Sequence, residues 1–94
     1  MREEGHRLII TVIGQDRVGI IASISNILAS ANVNILDISQ TIMQEIFTMI
    51  MIVDAKQSNI SVPELSKMLS EKGKELDLVI TTQHEDVFRF MHRI

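Results

Sequence analysis

The 94-residue chain has no cysteine. That excludes disulfides, thiol nucleophiles, zinc–thiolate centres and the paired-cysteine motif of small metal chaperones. Tryptophan and tyrosine are also absent, and there are only three phenylalanines. The core must therefore be aliphatic, drawn from the 46% of residues that are hydrophobic. Phe47 is the only aromatic residue on an expected strand, too few for the aromatic sheet on which RNA bases stack. A net charge of −3 also argues against a nucleic-acid partner, which calls for a basic face. No apolar run approaches the length of a membrane span. The segment Met1 to Arg7 is too charged for a signal peptide, so a cytoplasmic protein is expected. The three histidines, His6, His84 and His92, lie near the termini with no pair at ligand spacing. They read as solvated groups, and no metal or cofactor is expected.

The length suits one domain over residues 1–94. A chain this small buries roughly 60–65% of its unfolded surface, so its stability can lean on a partner. Leu8 to Ile13 is a β-branched run, apolar on both faces, as in a central strand. A helix is expected from about Arg17 to Ser30, with Ile20, Ile21, Ile24, Ile27, Leu28 and Ala31 at three-and-four spacing. Asn32 is its expected left-handed stop. Val33 to Met43 reads as a second strand. Ile35 and Ile38 cannot share a face of a regular strand, which predicts a bulge near Asp37. Gln44-Glu45 makes a hairpin turn into a third strand, Phe47 to Val53, apolar on both sides. After a polar loop, Ser61-Val62-Pro63-Glu64 is a capping box for a helix running to about Lys72 and stopped by Gly73. Val62, Leu65, Met68 and Leu69 should face inward. Leu76 to Thr82 is the fourth strand. A short tail helix begins near Glu85 and Asp86, with Val87, Phe88, Met91 and Ile94 on its apolar side.

The order strand, helix, strand, strand, helix, strand predicts a ferredoxin-like α+β fold, a four-stranded antiparallel sheet with two helices on one face. The opposite face is then open. Apolar residues there point to self-association, as a homodimer or higher oligomer, unless the tail helix folds back over it.

One stretch invites a functional reading beside a structural one. Gly14 is read as letting the chain leave the first strand with backbone angles other residues avoid. Asp16 can cap the helix by accepting from the N–H of Val18 or Gly19. Gly19 falls in the first helical turn, where glycine costs about 1 kcal/mol against alanine. Its presence calls for a close approach by a ligand, a subunit or a strand. Bare N–H groups at such a turn also favour a carboxylate or phosphate. Each residue has a plainer role beside the functional one. Asp16 as a cap would consume the N–H groups a ligand needs. Asn34 could simply finish a turn, and Gly19 could serve subunit packing alone.

The pattern Gly14-x-Asp16-x-x-Gly19-Ile20, followed by the aliphatic helix and Asn32-Val33-Asn34-Ile35-x-Asp37-Ile38, resembles an ACT domain. Asp37-Ile38-Ser39-Gln40-Thr41 and Phe47-Thr48-Met49 further resemble the small stand-alone ACT proteins of bacteria and archaea and, more distantly, regulators of glycine cleavage. The resemblance covers nearly the whole chain. It implies an amino acid or similar small effector bound at the first strand–helix loop, at a subunit interface. Carried onto this sequence, it implicates Gly14, Asp16, Val18, Gly19 and Ile20, with Asn34 as the facing residue. N–H groups from Val18 to Ile20 would hold a carboxylate, and Asp16 or Asn34 an ammonium group. ACT domains usually regulate an attached enzyme, so a chain without one would sense alone or act on a partner enzyme in trans. No enzymatic activity is expected. The alternative is a ligand-free interaction module. An acyl-phosphate hydrolase ranks lower: Arg17 lies in the appropriate loop, but the third strand lacks the asparagine such enzymes use.

Overall fold

The computed structural model describes residues 6–87. The elements run β1 (Arg7–Gln15), α1 (Ile20–Ser30), β2 (Asn34–Met43), β3 (Ile46–Asp54), α2 (Val62–Leu76) and β4 (Leu78–His84). The strands form one antiparallel sheet in the order β2-β3-β1-β4. This is the expected ferredoxin-like arrangement. The chain is helical again at residues 85–87. The remaining expected tail positions, Phe88, Met91 and Ile94, lie outside the described residues, as does any fold-back of that tail.

Period-two burial explains the sheet. Leu8, Ile10 and Val12 of β1 and Phe47, Met49, Met51 and Val53 of β3 are buried beneath the helices. The intervening residues face the other side. α1 contributes Ile20, Ile24 and Leu28, and α2 contributes Leu65 and Leu69. Burying each such aliphatic side chain is worth about 1.5–3 kcal/mol before chain entropy is counted. Met68 departs from expectation, being 39% exposed. β3 is likewise covered on one face only, with Ile46 and Ile50 left exposed on the other.

The predicted bulge is present. The β2–β3 register skips Leu36, so that Ile35 opposes Val53 and Ile38 opposes Met51. The extra residue brings both isoleucines to the helix side. Gln44 and Glu45 form the two-residue hairpin turn at φ 50° and 73°, both in the left-handed region that the primed turn demands. Asn32 (φ 61°) ends α1 as expected. The Val33 N–H donates to Leu28 O, and that of Asn32 to Ala29 O, completing a Schellman closure. At α2, Glu64 N–H donates to Ser61 Oγ (3.2 Å) and Ser61 N–H to Glu64 Oε1 (3.1 Å), the reciprocal capping box.

Gly73 does not stop α2. The helix continues to Leu76 and ends at Asp77, which is left-handed at φ 62°. Gly73 is buried mid-helix, and a Cβ there would lie 2.8 Å from Leu78 O and 3.1 Å from Ile80 Cγ1. It is needed for close helix–strand packing, and β4 starts two residues later than expected as a consequence of the longer helix.

Candidate functional site

Three connections meet at the Gln15 end of the sheet: the β1–α1 loop, the β2–β3 turn and the α2–β4 turn. The Asp16 N–H donates to Glu45 O at 2.9 Å. An Arg17 guanidinium N–H donates to Leu76 O at 3.3 Å. The loop is thus tied to both neighbouring turns. Gln15 to Gly19 are all exposed, and Val18 is 100% so. A shallow cavity of about 320 Å³ is lined by Gln15, Asp16, Arg17, Leu76 and Asp77.

Three expectations for this loop are corrected. α1 begins at Ile20 rather than Arg17, with Gly19 as its N-cap at φ 94°. Gly19 therefore bears no mid-helix penalty; it holds a left-handed position that an L-residue adopts only under strain. Asp16 is three residues upstream of the cap, and no side chain caps the helix. Gly14 is not at positive φ and remains paired within β1, opposite Phe47 and Leu78. A Cβ on it would lie 2.5 Å from Leu78 Cδ2 and 2.9 Å from Asp77 O. Close packing against the α2–β4 turn, not a turn conformation, requires glycine there.

These corrections leave the helix terminus open. The Ser23 N–H to Gly19 O bond, 2.9 Å, is the first of α1. The N–H groups of Ile20, Ile21 and Ala22 precede it and have no intrahelical acceptor. No acidic side chain occupies the first turn, and nothing lies within 4 Å of where a Gly19 Cβ would sit. Open space, donors without an intrahelical acceptor and the positive end of the helix dipole coincide, an arrangement that suits a carboxylate or other small anion.

Asn34 is elsewhere. It opens β2 opposite Asp54, at the Arg7 end of the sheet. There it joins Asn32, Asp54 and Lys56 in lining the larger cavity, about 520 Å³. Within one chain it does not meet Gly14, Asp16, Val18, Gly19 and Ile20, which the fold does bring together. Asp54 and Lys56 were not singled out from the sequence, because only the β2–β3 register sets Asp54 beside Asn34. Among the described residues, no three His, Cys, Asp or Glu side chains come together to hold a metal. No described helix is long and apolar enough to cross a membrane.

The fold recurs in known proteins. The UPF0237 protein of Methanosarcina acetivorans is 58% identical over 88 residues, covering 94% of this chain and 96% of that one. The structure of an ACT domain protein from Streptococcus pneumoniae superposes with a TM-score of 0.77 at 34% identity, covering 90% of this chain and 96% of that one. A protein assigned as a glycine cleavage system transcriptional repressor gives a TM-score of 0.74 at 27% identity, over 83% of this chain and 44% of that one. The family model for the ACT domain matches residues 6–83. With the βαββαβ order and the glycine-capped loop in place, the chain belongs to the ACT-domain family.

Proposed function

We propose that this protein is a non-catalytic regulator that binds an amino acid or a similar small carboxylate at the β1–α1 loop, in a homodimer joined along β2. The observation that carries the reading is the uncapped N-terminus of α1, with Gly19 at φ 94° and open space above it. The effector's carboxylate accepts from the Ile20 N–H and its neighbours at the start of α1. Its ammonium group meets Asp16, whose carboxylate is not spent on capping. The ACT domain is a regulatory fold for small ligands, which supports the same reading.

The exposure of β2 supports dimerisation along it. This edge strand is exposed at nine of its ten positions. It carries a single charge, Asp37, and none of the lysine or proline that commonly blunts an edge. Leu36, Ile38, Ile42 and Met43 are 39–66% exposed. β1 and β2 run parallel to each other, because both are antiparallel to β3. A two-fold axis that pairs β2 antiparallel with its copy therefore sets the start of one β2 beside the loop end of the other. Asn34 of the partner subunit then faces Asp16 and Gly19, and each effector site draws on both chains.

Complementation tests this arrangement. Gly19→Ala and Asn34→Ala homodimers should each bind weakly in calorimetric titrations with amino acids. A mixed dimer carries one site with both defects and one with neither, so random exchange in an equimolar mixture, in which about half of the dimers are mixed, should restore about a quarter of the sites. No restoration from two folded, dimeric variants would contradict a shared site. The interaction-module alternative is favoured by the same exposed edge. It would stand if the dimer formed and no amino acid bound.

A further inference from the structure

A carboxylate and an ammonium group are common to all amino acids, so choice among them falls to whatever meets the side chain. Beside the loop lies the cavity of about 320 Å³ lined by Gln15, Asp16, Arg17, Leu76 and Asp77. Ligand sites run from roughly 300 to 1,000 Å³, so this one suits an amino-acid side chain and not a nucleotide. Its walls carry opposite charges. Arg17 donates one guanidinium N–H to Leu76 O at 3.3 Å. That bond ties the side chain to the C-terminus of α2 and leaves other donors of its planar fork for a ligand. Asp77 ends α2 at φ 62°, a place that glycine or asparagine usually takes. Among the described residues its carboxylate accepts no hydrogen bond, and it forms no ion pair with Arg17. Gly14 allows the juxtaposition. Asp77 O lies 2.9 Å from where a Cβ on residue 14 would sit, so the missing side chain lets the α2–β4 turn settle against β1, beside the loop. Leu76, half-buried against the core, supplies an apolar wall.

We propose that this cavity selects an amino acid whose side chain ends in a carboxamide, asparagine or glutamine. Its carbonyl oxygen accepts from Arg17, its NH₂ group donates to Asp77, and its methylene stem lies on Leu76. The proposal rests on the effector reading above, which places the α-carboxylate at the start of α1 and the ammonium group at Asp16. A carboxamide is neutral and carries an acceptor and two donors on one planar end, so it answers both walls at once. A side-chain carboxylate has Arg17 in its favour, but faces Asp77, Asp16 and the negative end of the α2 dipole. A side-chain ammonium group is repelled by Arg17. A hydroxyl has one oxygen to share between the two walls. An aliphatic side chain displaces water from both charged groups and returns no hydrogen bond to either.

Isothermal titration calorimetry with each of the common amino acids provides the test, on the wild-type protein and on Arg17→Ala and Asp77→Asn. Asparagine tolerates the left-handed backbone at position 77, so that substitution removes the charge and keeps the turn; circular dichroism verifies folding. The wild type should bind glutamine or asparagine most tightly. Arg17→Ala should weaken that binding about ten-fold, as losing a hydrogen bond to a charged group does. Asp77→Asn should raise the affinity for glutamate relative to glutamine about five-fold, the effect in water of one unit charge at contact distance. A tightest ligand without a carboxamide overturns the proposal and leaves the effector reading intact. Glutamine or asparagine binding that neither substitution alters overturns it in the same way. A folded wild-type protein that binds no amino acid overturns both.

Discussion

Replacing Gly19 by alanine separates backbone strain from steric clash, because the two are cleanly divided at this position. No atom beyond the adjoining residues lies within 4 Å of the added methyl, while φ is 94°. The folded state therefore loses only the strain of holding an L-residue there, about 1–3 kcal/mol. The unfolded chain becomes stiffer, which returns about 0.4–1 kcal/mol. The net cost is about 1–2 kcal/mol. For a domain of this size each kcal/mol lowers the melting temperature by roughly 4–8 °C. Asparagine tolerates left-handed backbone better than alanine, so Gly19→Asn should recover part of that loss. Differential scanning calorimetry on the three proteins, at equal concentration, checks the series. A Gly19→Ala protein as stable as the wild type, or an asparagine variant less stable than the alanine one, would refute the left-handed N-cap. The mildness of the substitution has a use: the variant should remain folded, so any loss of effector binding reports on the loop and not on unfolding.

Other substitutions test the surrounding account. Gly73→Ala should cost about 1–3 kcal/mol by overpacking, since its Cβ meets the backbone of β4 at 2.8 Å; urea midpoints would show it, and a neutral result would mean that α2 stands further from β4. Ser61→Ala removes the side-chain acceptor of the capping box and should cost about 1 kcal/mol, read in the same urea titration. Leu69→Ala, at a fully buried position, should cost about 2–5 kcal/mol. Arg17→Ala removes one exposed bond to Leu76 O and should change stability by less than about 0.5 kcal/mol. No acyl-phosphate hydrolysis is expected from the wild-type protein, and activity abolished by Arg17→Ala would revive the hydrolase alternative.

Periodic features were legible in the sequence. The Ile20-Ile24-Leu28 stripe and the Ser61–Glu64 box each follow from residues near in sequence, and each is present, whereas β1 and β3, apolar at nearly every position, were legible as strands but not for which face the helices cover. The bulge in β2 was legible for the same reason: two isoleucines three apart cannot both face a core without an extra residue. Positions governed by distant contacts were misread. Gly73 resembles a helix stop, yet its role is set by Leu78 and Ile80 across the packing interface, while Asp77 takes the left-handed stop. Gly14 resembles a turn residue, yet it is still paired near the end of β1, where Asp77 O and Leu78 leave no room for a Cβ. Asp16 has the chemistry of a cap, but Gly19 takes that place because its φ of 94° begins the helix three residues later. The separation of Asn34 from the loop follows from sheet topology, which one chain's local pattern does not contain.

The central claim is that the loop from Gly14 to Ile20 holds a small effector. Its most direct test is thermal stability measured against a panel of the common amino acids, with molecular mass determined by size exclusion and light scattering on the same samples. An effector at about one hundred times its dissociation constant should add roughly 2.7 kcal/mol, a melting shift of roughly 10 °C or more in a domain of this size. The account predicts a shift confined to one or a few amino acids, on an oligomeric protein, and reduced in Gly19→Ala. A panel without any shift, or a shift that Gly19→Ala leaves unchanged, would contradict it.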